Sequence, residues 1–255
     1  MPVTAVTGSA SGIGAAVCKQ LQNAGHRIIG IDRNNADVNA DLSTAEGRAA
    51  VVEQVLRLCE GKLDGLVCCA GLGVTAPNSG LIVGVNYFGV TALLEGLQEA
   101  LGKADKPAAL IIGSFAATQQ LAQRHPMIEA MLNGDEESAL KLANEADGPH
   151  IAYAASKYAV TAYARRQAVA WGKQGMRLNV VAPGAVETPL HQASKEDPRF
   201  GEAVKNFVAP LGRAGTPDEI AQTVTFLQSE QASFIHGSVF FIDGGMDAMV
   251  RSDYF

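Results

Sequence analysis

The sequence predicts a single-domain α/β fold, in which a doubly wound parallel sheet carries helices on both faces. Short apolar segments alternate with longer amphipathic ones along the chain, and this alternation is typical of parallel strands connected by helices. The chain has 255 residues, a length at which α/β folds often form one domain. Hydrophobic residues make up 47% of it, enough for one large core.

Each element follows from this pattern in order. Strands are predicted at residues 3–6, 26–31, 63–69, 108–114, 177–182 and 238–242. Helices are predicted at residues 13–24, 44–59, 86–101, 153–171 and 217–227. Gly25 follows the first helix, as a C-terminal glycine often does, and Pro217 opens the last one.

Residues 115–152 depart from the alternation. A structureless loop of 38 residues is unusual inside a compact domain. Two stretches, 127–132 and 136–146, have the composition of helices. We therefore expect a helical insertion between the fourth predicted strand and Tyr153.

A glycine-rich segment follows the first strand and opens the first helix. Gly8, Gly12 and Gly14 permit a tight turn and a close approach of the backbone to a pyrophosphate, whose charge faces the helix N-terminus. Asp32 ends the second strand, near the spacing of a carboxylate that binds the ribose hydroxyls. This arrangement predicts a Rossmann fold that prefers NAD(H) over NADP(H). Two alternatives stay open: Arg33 could accept a phosphate, and Asp32 could be only a turn residue.

Tyr153 and Lys157 stand four residues apart and therefore share one face of a helix. A nearby ammonium favours the phenolate and lowers the pKa of a tyrosine, which can then exchange a proton during catalysis. Together with the glycine-rich segment, the pair predicts hydride transfer coupled to proton transfer. The alternative is an ordinary amphipathic helix.

In their order along the chain, these motifs resemble those of the short-chain dehydrogenase/reductase family. The matching segments are Thr7-Gly8-x-x-x-Gly12-Ile13-Gly14, Asp41-Leu42, Cys69-Ala70-Gly71, Asn86, Ser114, Tyr153, Lys157, Pro183-Gly184, Thr188 and Asp243-Gly244-Gly245. Cys69 stands where the family usually has asparagine, and we expect a local packing difference there. Segments 40–48, 85–89 and 242–245 are most similar to those of bacterial 3α-hydroxysteroid dehydrogenase/carbonyl reductases.

The resemblance implies a role for each site residue. Tyr153 is the general acid or base, Lys157 lowers its pKa and binds the nicotinamide ribose, Ser114 donates to the substrate oxygen, and Asn86 holds a relay water. The implied cofactor contacts are Gly8, Ser11, Gly12, Ile13, Gly14, Asp32, Asp41, Leu42, Ala70, Gly71, Tyr153, Lys157, Pro183, Gly184, Val186 and Thr188. Alternatives are a strand-end serine for Ser114 and a helix cap for Asn86.

The expected activity is interconversion of a secondary alcohol and a ketone, since in this family the four-residue spacing of tyrosine and lysine favours C=O over C=C chemistry. Residues 189–213 mix apolar and charged side chains and should form a mobile lid over an apolar substrate, a 3α-hydroxysteroid or hydrophobic carbonyl compound. His191, in this segment, either touches substrate or is a solvated loop histidine. The alternative functions are oxidation of another secondary alcohol, such as a terpenoid or aromatic diol, and a non-catalytic dinucleotide sensor.

Partners and location follow from charge and composition. The formal charge of −6 argues against nucleic acid and anionic membranes. We see no signal peptide and no apolar run near membrane length, and we expect four reduced, mostly buried cysteines in a cytoplasmic protein. The five histidines show no ligand spacing, so no metal is expected. The insertion should cover the family's tetramer surface and leave a homodimer, across which residues 246–255 either pack or fray.

Overall fold

A seven-stranded parallel sheet forms the centre of the molecule. The computed structural model describes residues 1–253. The strands are β1 (Val3–Thr7), β2 (Arg27–Asp32), β3 (Val38–Asn39), β4 (Gly65–Cys68), β5 (Ala108–Ile112), β6 (Arg177–Pro183) and β7 (Val239–Ile242). The C-terminal tail was predicted either to pack across a dimer or to fray. Its last two residues, Tyr254 and Phe255, lie outside the described residues.

The strand order is β3-β2-β1-β4-β5-β6-β7, and every neighbouring pair is parallel. The chain runs outward from β1 to β3 and then returns to the other side of β1 with β4. At such a switch point the connections leave in opposite directions, and a crevice opens at the carboxyl ends of the strands. The predicted doubly wound Rossmann fold is confirmed.

Helices cover both faces of the sheet. In chain order they are α1 (Gly12–Asn23), α2 (Ala45–Leu58), α3 (Ser79–Val83), α4 (Gly89–Gly96), α5 (Gln98–Gly102), α6 (Gln120–Gln123), α7 (Met127–Leu132), α8 (Glu136–Glu145), α9 (Pro149–Lys173), α10 (Pro189–Glu196), α11 (Gly201–Asn206), α12 (Pro217–Gln228) and α13 (Met246–Val250). Short 3₁₀ turns lie at Phe115–Thr118 and Glu230–Ala232, and a π-helical segment at Gly84–Phe88 joins α3 to α4.

The core divides into two clusters, one on each face of the sheet. One cluster unites the apolar sides of α2, α4 and α9 with the sheet, and the other unites α1 and α12 with its opposite face. The central strands β4 and β5 are buried on both faces, so they appear in the sequence as nearly continuous apolar runs.

The structure differs from the predicted elements at an additional strand and at the beginning of a helix. The two-residue strand β3 was not predicted, because its pairing to β2 is decided by the sheet edge and not by a run of apolar residues. The helix predicted to begin at Asn86 begins at Ser79, where Asn78 caps it by accepting from the Leu81 amide. Asn86 is therefore inside a continuous helical stretch and does not cap it.

The expectation that the chain has no apolar run near membrane length is wrong for this stretch, Ser79–Gly96. By length and composition it is apolar enough to cross a membrane. Asn86 and several glycines interrupt its apolar residues, which is why the sequence shows no obvious run. However, 72% of it is buried inside the protein, as expected for a helix of a protein core.

The insertion is helical, as predicted. The two expected helices are α7 and α8, and the short α6 and a 3₁₀ turn precede them. Helix α7 packs on α9, and α8 packs on the helical stretch that carries Asn86. The insertion therefore lies against the helices that surround the crevice.

Candidate active site

A cleft of about 660 Å³ opens at the carboxyl ends of the strands. Its walls contain every predicted cofactor residue and three of the four predicted catalytic residues. The shared lining is Gly8, Ser11, Gly12, Ile13, Gly14, Asp32, Asp41, Leu42, Ala70, Gly71, Ser114, Tyr153, Lys157, Pro183, Gly184, Val186 and Thr188. Only Asn86 is absent from this surface.

The glycine-rich loop is shaped by contacts that exclude side chains. Gly8 has φ +67°, and a Cβ there would lie 2.9 Å from the Ala70 nitrogen. A Cβ on Gly14 would overlap the Gly8 carbonyl oxygen. Ser11, the N-cap of α1, makes no side-chain capping bond, so the first amides of the helix face the cleft without that partner. This cradle fits a pyrophosphate group, which such amides bind.

Two carboxylates stand at the far end of the cleft from Ser114. Asp32 accepts hydrogen bonds from the amides of Ala10 (3.0 Å) and Arg33 (2.7 Å), and thereby ties the glycine-rich loop to the end of β2. Asp41 accepts from the Ser43 amide at 2.9 Å, and its hydrogen bonds to Ser43 lower its pKa. Arg33 lines the same end, so the predicted alternative that Arg33 accepts a 2′-phosphate stays open.

Ser114 and Tyr153 meet at the opposite end of the cleft. Ser114 follows β5 and is buried beside Tyr153, and its hydroxyl accepts from the Ala116 amide at 3.1 Å. Burial raises the pKa of Tyr153, and the neighbouring Ser114 hydroxyl opposes that shift only in part. The predicted lowering of this pKa by Lys157 is not found in the structure.

The reason lies in the direction of Lys157. Its ammonium turns to the sheet and donates to the Ile112 carbonyl at 2.8 Å. The side chain is buried, and burial lowers the pKa of Lys157 to about 8. It still lies close to the cleft wall, since a Cβ on Gly71 would lie 3.5 Å from its Nζ.

Asn86 is buried behind the cleft, where its side chain connects two segments by hydrogen bonds. Its side chain accepts from the Leu72 amide (2.8 Å) and donates to the Leu72 carbonyl (3.0 Å) and to Ser156 Oγ (3.2 Å). It thus joins the loop after β4 to helix α9, one residue from Lys157. The π-helical turn that carries it is a feature often found at functional sites. No pattern in the sequence indicates that turn.

A family model described as enoyl-(acyl carrier protein) reductase matches residues 8–247. The chain is 46% identical to 3-alpha-hydroxysteroid dehydrogenase/carbonyl reductase from Comamonas testosteroni, over 100% of both chains. The chain belongs to the short-chain dehydrogenase/reductase family. The resemblance drawn from the motifs is therefore confirmed, and so is the expectation of an oxidoreductase.

Two further relatives of the chain have names that state different substrates. The NADH complex of 3-alpha-hydroxysteroid dehydrogenase from Pseudomonas sp. B-0831 superposes with a TM-score of 0.98 at 63% identity, covering 99% of this chain and 100% of the other. D-threitol dehydrogenase from Mycolicibacterium smegmatis is 34% identical, over 95% of this chain and 92% of the relative.

The lid segment, residues 189–213, forms helices α10 and α11 beside the cleft. Two aromatic contacts hold it to residues 115–152: Phe207 stacks on Phe115 at 5.9 Å between centroids, and the Phe200 ring lies 6.0 Å from that of His150. His191 lines the cleft from α10, so it is not a solvated loop histidine. Burial lowers its pKa.

Some cleft residues were missed by sequence reasoning. They include the polar His150 and Gln119, and the apolar Val74, Pro77, Leu81, Ala116 and Val204. His150 stands one helical turn before Tyr153, and that spacing was the available signal. The others come from the loop after β4, from α3, from the insertion and from α11 of the lid, where no motif marks them.

The cysteines are all free, with Cys59 and Cys68 buried and Cys18 and Cys69 half-buried. Burial raises the pKa of Cys68 to about 12, and that of Cys69 well above its usual value. Cys69 lines the cleft in place of asparagine, and the Ala70 amide after it donates to Thr7 Oγ1 at 2.9 Å. Among residues 1–253, no group of three or more potential ligands is arranged to hold a metal ion.

Proposed function

We propose that the protein is an NAD(H)-dependent oxidoreductase that interconverts a secondary alcohol and a ketone, with a 3α-hydroxysteroid or another hydrophobic carbonyl compound as substrate. One observation carries the proposal: a serine, a tyrosine and a buried lysine line the same cleft as a glycine cradle for a dinucleotide. The cofactor, when bound, supplies or accepts the hydride.

The side chains divide the remaining chemistry. Tyr153, protonated at neutral pH because burial raises its pKa, gives its proton to the oxygen of a ketone during reduction. Ser114 donates a hydrogen bond to the same oxygen as negative charge develops on it. Lys157 places a buried ammonium next to the cleft wall. Asn86 holds the loop in which Gly71 lies close to that ammonium.

The residues that would hold the cofactor support NAD(H). Asp32 ends β2 where a carboxylate would accept from ribose hydroxyls and repel a 2′-phosphate. The NADH complex of the Pseudomonas relative agrees with this choice. Arg33 is the residue that could reverse it, and its neutral variant separates the two possibilities.

An apolar substrate is supported by the apolar residues that line the cleft. Val74, Pro77, Leu81, Ala116 and Leu190 offer mainly hydrocarbon surface to a bound ketone. A small polyol, the substrate class named for the Mycolicibacterium relative, would leave that surface in contact with water. A terpenoid or aromatic diol would fill it and stays an alternative, whereas a sensor without turnover has no need of Tyr153 and Lys157.

The test is the formation of NADH from NAD⁺ with a 3α-hydroxysteroid, D-threitol and an aromatic diol in parallel, repeated with NADP⁺. We expect turnover with the steroid and NAD⁺, and much weaker turnover with NADP⁺. Arg33→Gln should leave the NAD⁺ reaction intact. Preference for threitol would reject the substrate class, and absence of turnover with every alcohol in a protein that binds NADH would favour the sensor.

We also propose that the protein is a cytoplasmic homodimer. Helix α7 of the insertion packs on α9, one of the two helices through which family members often assemble as tetramers, so that surface is partly covered. Light scattering over a dilution series tests the assembly. A tetramer that persists on dilution would contradict it.

A further inference from the structure

Arg48 is a buried arginine that links the body of the fold to the insertion. It lies on the second turn of α2 with only 6% of its surface exposed. Its Nη2 pairs with Glu136 Oε2 at 2.7 Å, and Glu136 is the first residue of the inserted helix α8. The first turn of a helix is a favourable place for a negative side chain such as that of Glu136.

The other arm of the guanidinium reaches the cleft wall. Arg48 Nη1 donates to the Leu42 carbonyl at 3.4 Å, a long hydrogen bond to the segment Asp41–Ser43. This segment lines the cleft beyond β3, at the edge of the sheet farthest from Ser114. A dinucleotide with its nicotinamide at Tyr153 would place its adenine half at this end.

The segment and α2 are packed together tightly. Thr44 caps α2 by accepting from the Gly47 amide at 3.0 Å, and a Cβ on Gly47 would overlap the Asp41 carbonyl. A displacement of α2 therefore displaces Asp41 and Leu42. Arg48, the residue after Gly47, fixes this unit to α8.

Helix α8 is itself fixed on a second side. Asn144 Oδ1 accepts from the Gly80 amide at 2.7 Å, at the beginning of the helical stretch that carries Asn86. Leu140 approaches Gly84 in the same stretch. The insertion thus touches the supports of both ends of the cleft.

We propose that Arg48 is a positioning residue for the adenine half of the cofactor, and that the insertion, through Glu136, is a structural part of the cofactor site. This inference rests on the proposed NAD(H) function. A planar guanidinium can hold Leu42 and Glu136 at once, whereas the single ammonium of a lysine cannot match both directions. The inserted helices therefore set the width of the adenine end, in addition to covering α9.

The experiment measures the dissociation constants of NADH, of ADP-ribose and of reduced nicotinamide mononucleotide by calorimetry. The variants are Arg48→Met, Arg48→Lys and Glu136→Gln, each checked by thermal melting. Arg48→Met should weaken NADH and ADP-ribose about tenfold, the size of one lost charge-assisted contact. Arg48→Lys should lose less affinity for NADH and ADP-ribose than Arg48→Met. Glu136→Gln should also weaken both ligands, and this residue is half-exposed, so the protein should tolerate the change.

The mononucleotide, which lacks the adenine half, should bind all variants equally, and kcat at saturating NAD⁺ should stay constant while KM for NAD⁺ rises. The matched control is Lys106→Gln, which breaks the exposed pair with Glu230 (2.9 Å) and should change none of these constants. Equal losses for both halves of the cofactor, or no loss in Arg48→Met, would overturn the inference. A wild-type protein that does not bind NADH would instead reject the function on which it rests.

Discussion

The floor of the cleft and the lid segment differ in burial and in the kind of contact that holds them. The floor consists of backbone and buried polar groups: the glycine-rich loop is pressed against Ala70, and Lys157 and Asn86 are hydrogen-bonded inside the protein. The lid consists of short helices with exposed apolar side chains such as Leu211, and of surface ion pairs such as Lys195 with Glu187.

The difference indicates where function is sensitive to substitution. In the floor, an added methyl group has no room and a charge has few alternative partners, so a change affects stability, cofactor affinity and chemistry together. In the lid, surface ion pairs contribute little and side chains can move. Changes there should alter the affinity for substrate while the fold and the cofactor site remain intact.

The largest effect is expected at the floor from Tyr153→Phe. Loss of the hydroxyl removes the proton donor, and turnover should fall about 10³-fold while NADH binding persists. Tyr158→Phe is the matched control, because Tyr158 lies on the same helix but lines a separate surface cavity. Near-normal turnover in Tyr153→Phe would reject the proposed mechanism.

Gly14→Ala should follow in size. The new methyl group overlaps the Gly8 carbonyl, so the loop must shift, at a cost of about 1–3 kcal/mol in the free energy of unfolding and with a loss of NADH affinity. Gly102→Ala is its control, since a Cβ there has no neighbour within 4 Å. Urea titration and NADH binding measure both. Equal behaviour of the two variants would contradict the packing argument.

The buried charge of Lys157 predicts a pH dependence of stability. Its pKa is about 8 in the fold, compared with 10.5 when unperturbed, so between these values the unfolded chain binds the additional proton. The free energy of unfolding should therefore rise with pH from about pH 8, relative to Lys157→Met, by about 1 kcal/mol per pH unit.

Urea titrations of both proteins between about pH 8 and 9 test this prediction. Above that range the thiols of Cys18 and Cys68, whose pKa values burial raises to about 11 and 12, act in the opposite direction. Parallel pH profiles for the wild type and the variant would show that Lys157 keeps its charge in the fold.

The smallest effect is expected in the lid. Phe207→Ala removes the stacking contact with Phe115, which contributes about 0.5–1.5 kcal/mol. KM for an apolar ketone should rise severalfold, with the free energy of unfolding and NADH affinity nearly unchanged. Phe226, 40% exposed on α12 against 42% for Phe207, provides a control of equal exposure. A large fall in the free energy of unfolding in Phe207→Ala, but not in Phe226→Ala, would show that the lid, like the floor, contributes to the stability of the fold.

The two regions also differ in how well the sequence predicted them. Gly8, Gly12, Gly14, Asp32 and Tyr153 were identified because their work depends on local geometry: φ angles, strand ends and helical spacing. His191 of the lid was singled out, but other cleft residues of the lid and the insertion, such as Val204 and Gln119, were missed, because they reach the site through long-range packing that leaves no periodic pattern.

By itself the sequence determined the order of strands and helices, the glycine cradle and the tyrosine–lysine pair. Each of these depends on residues within a few positions of one another. Only the tertiary structure decided that Asn86 lies in a π-helical turn and connects two segments by hydrogen bonds, that Lys157 turns to the Ile112 carbonyl, and that Arg48 meets Glu136 across 88 positions of sequence. Such contacts depend on which buried groups find partners once the chain is packed, and no short segment specifies that.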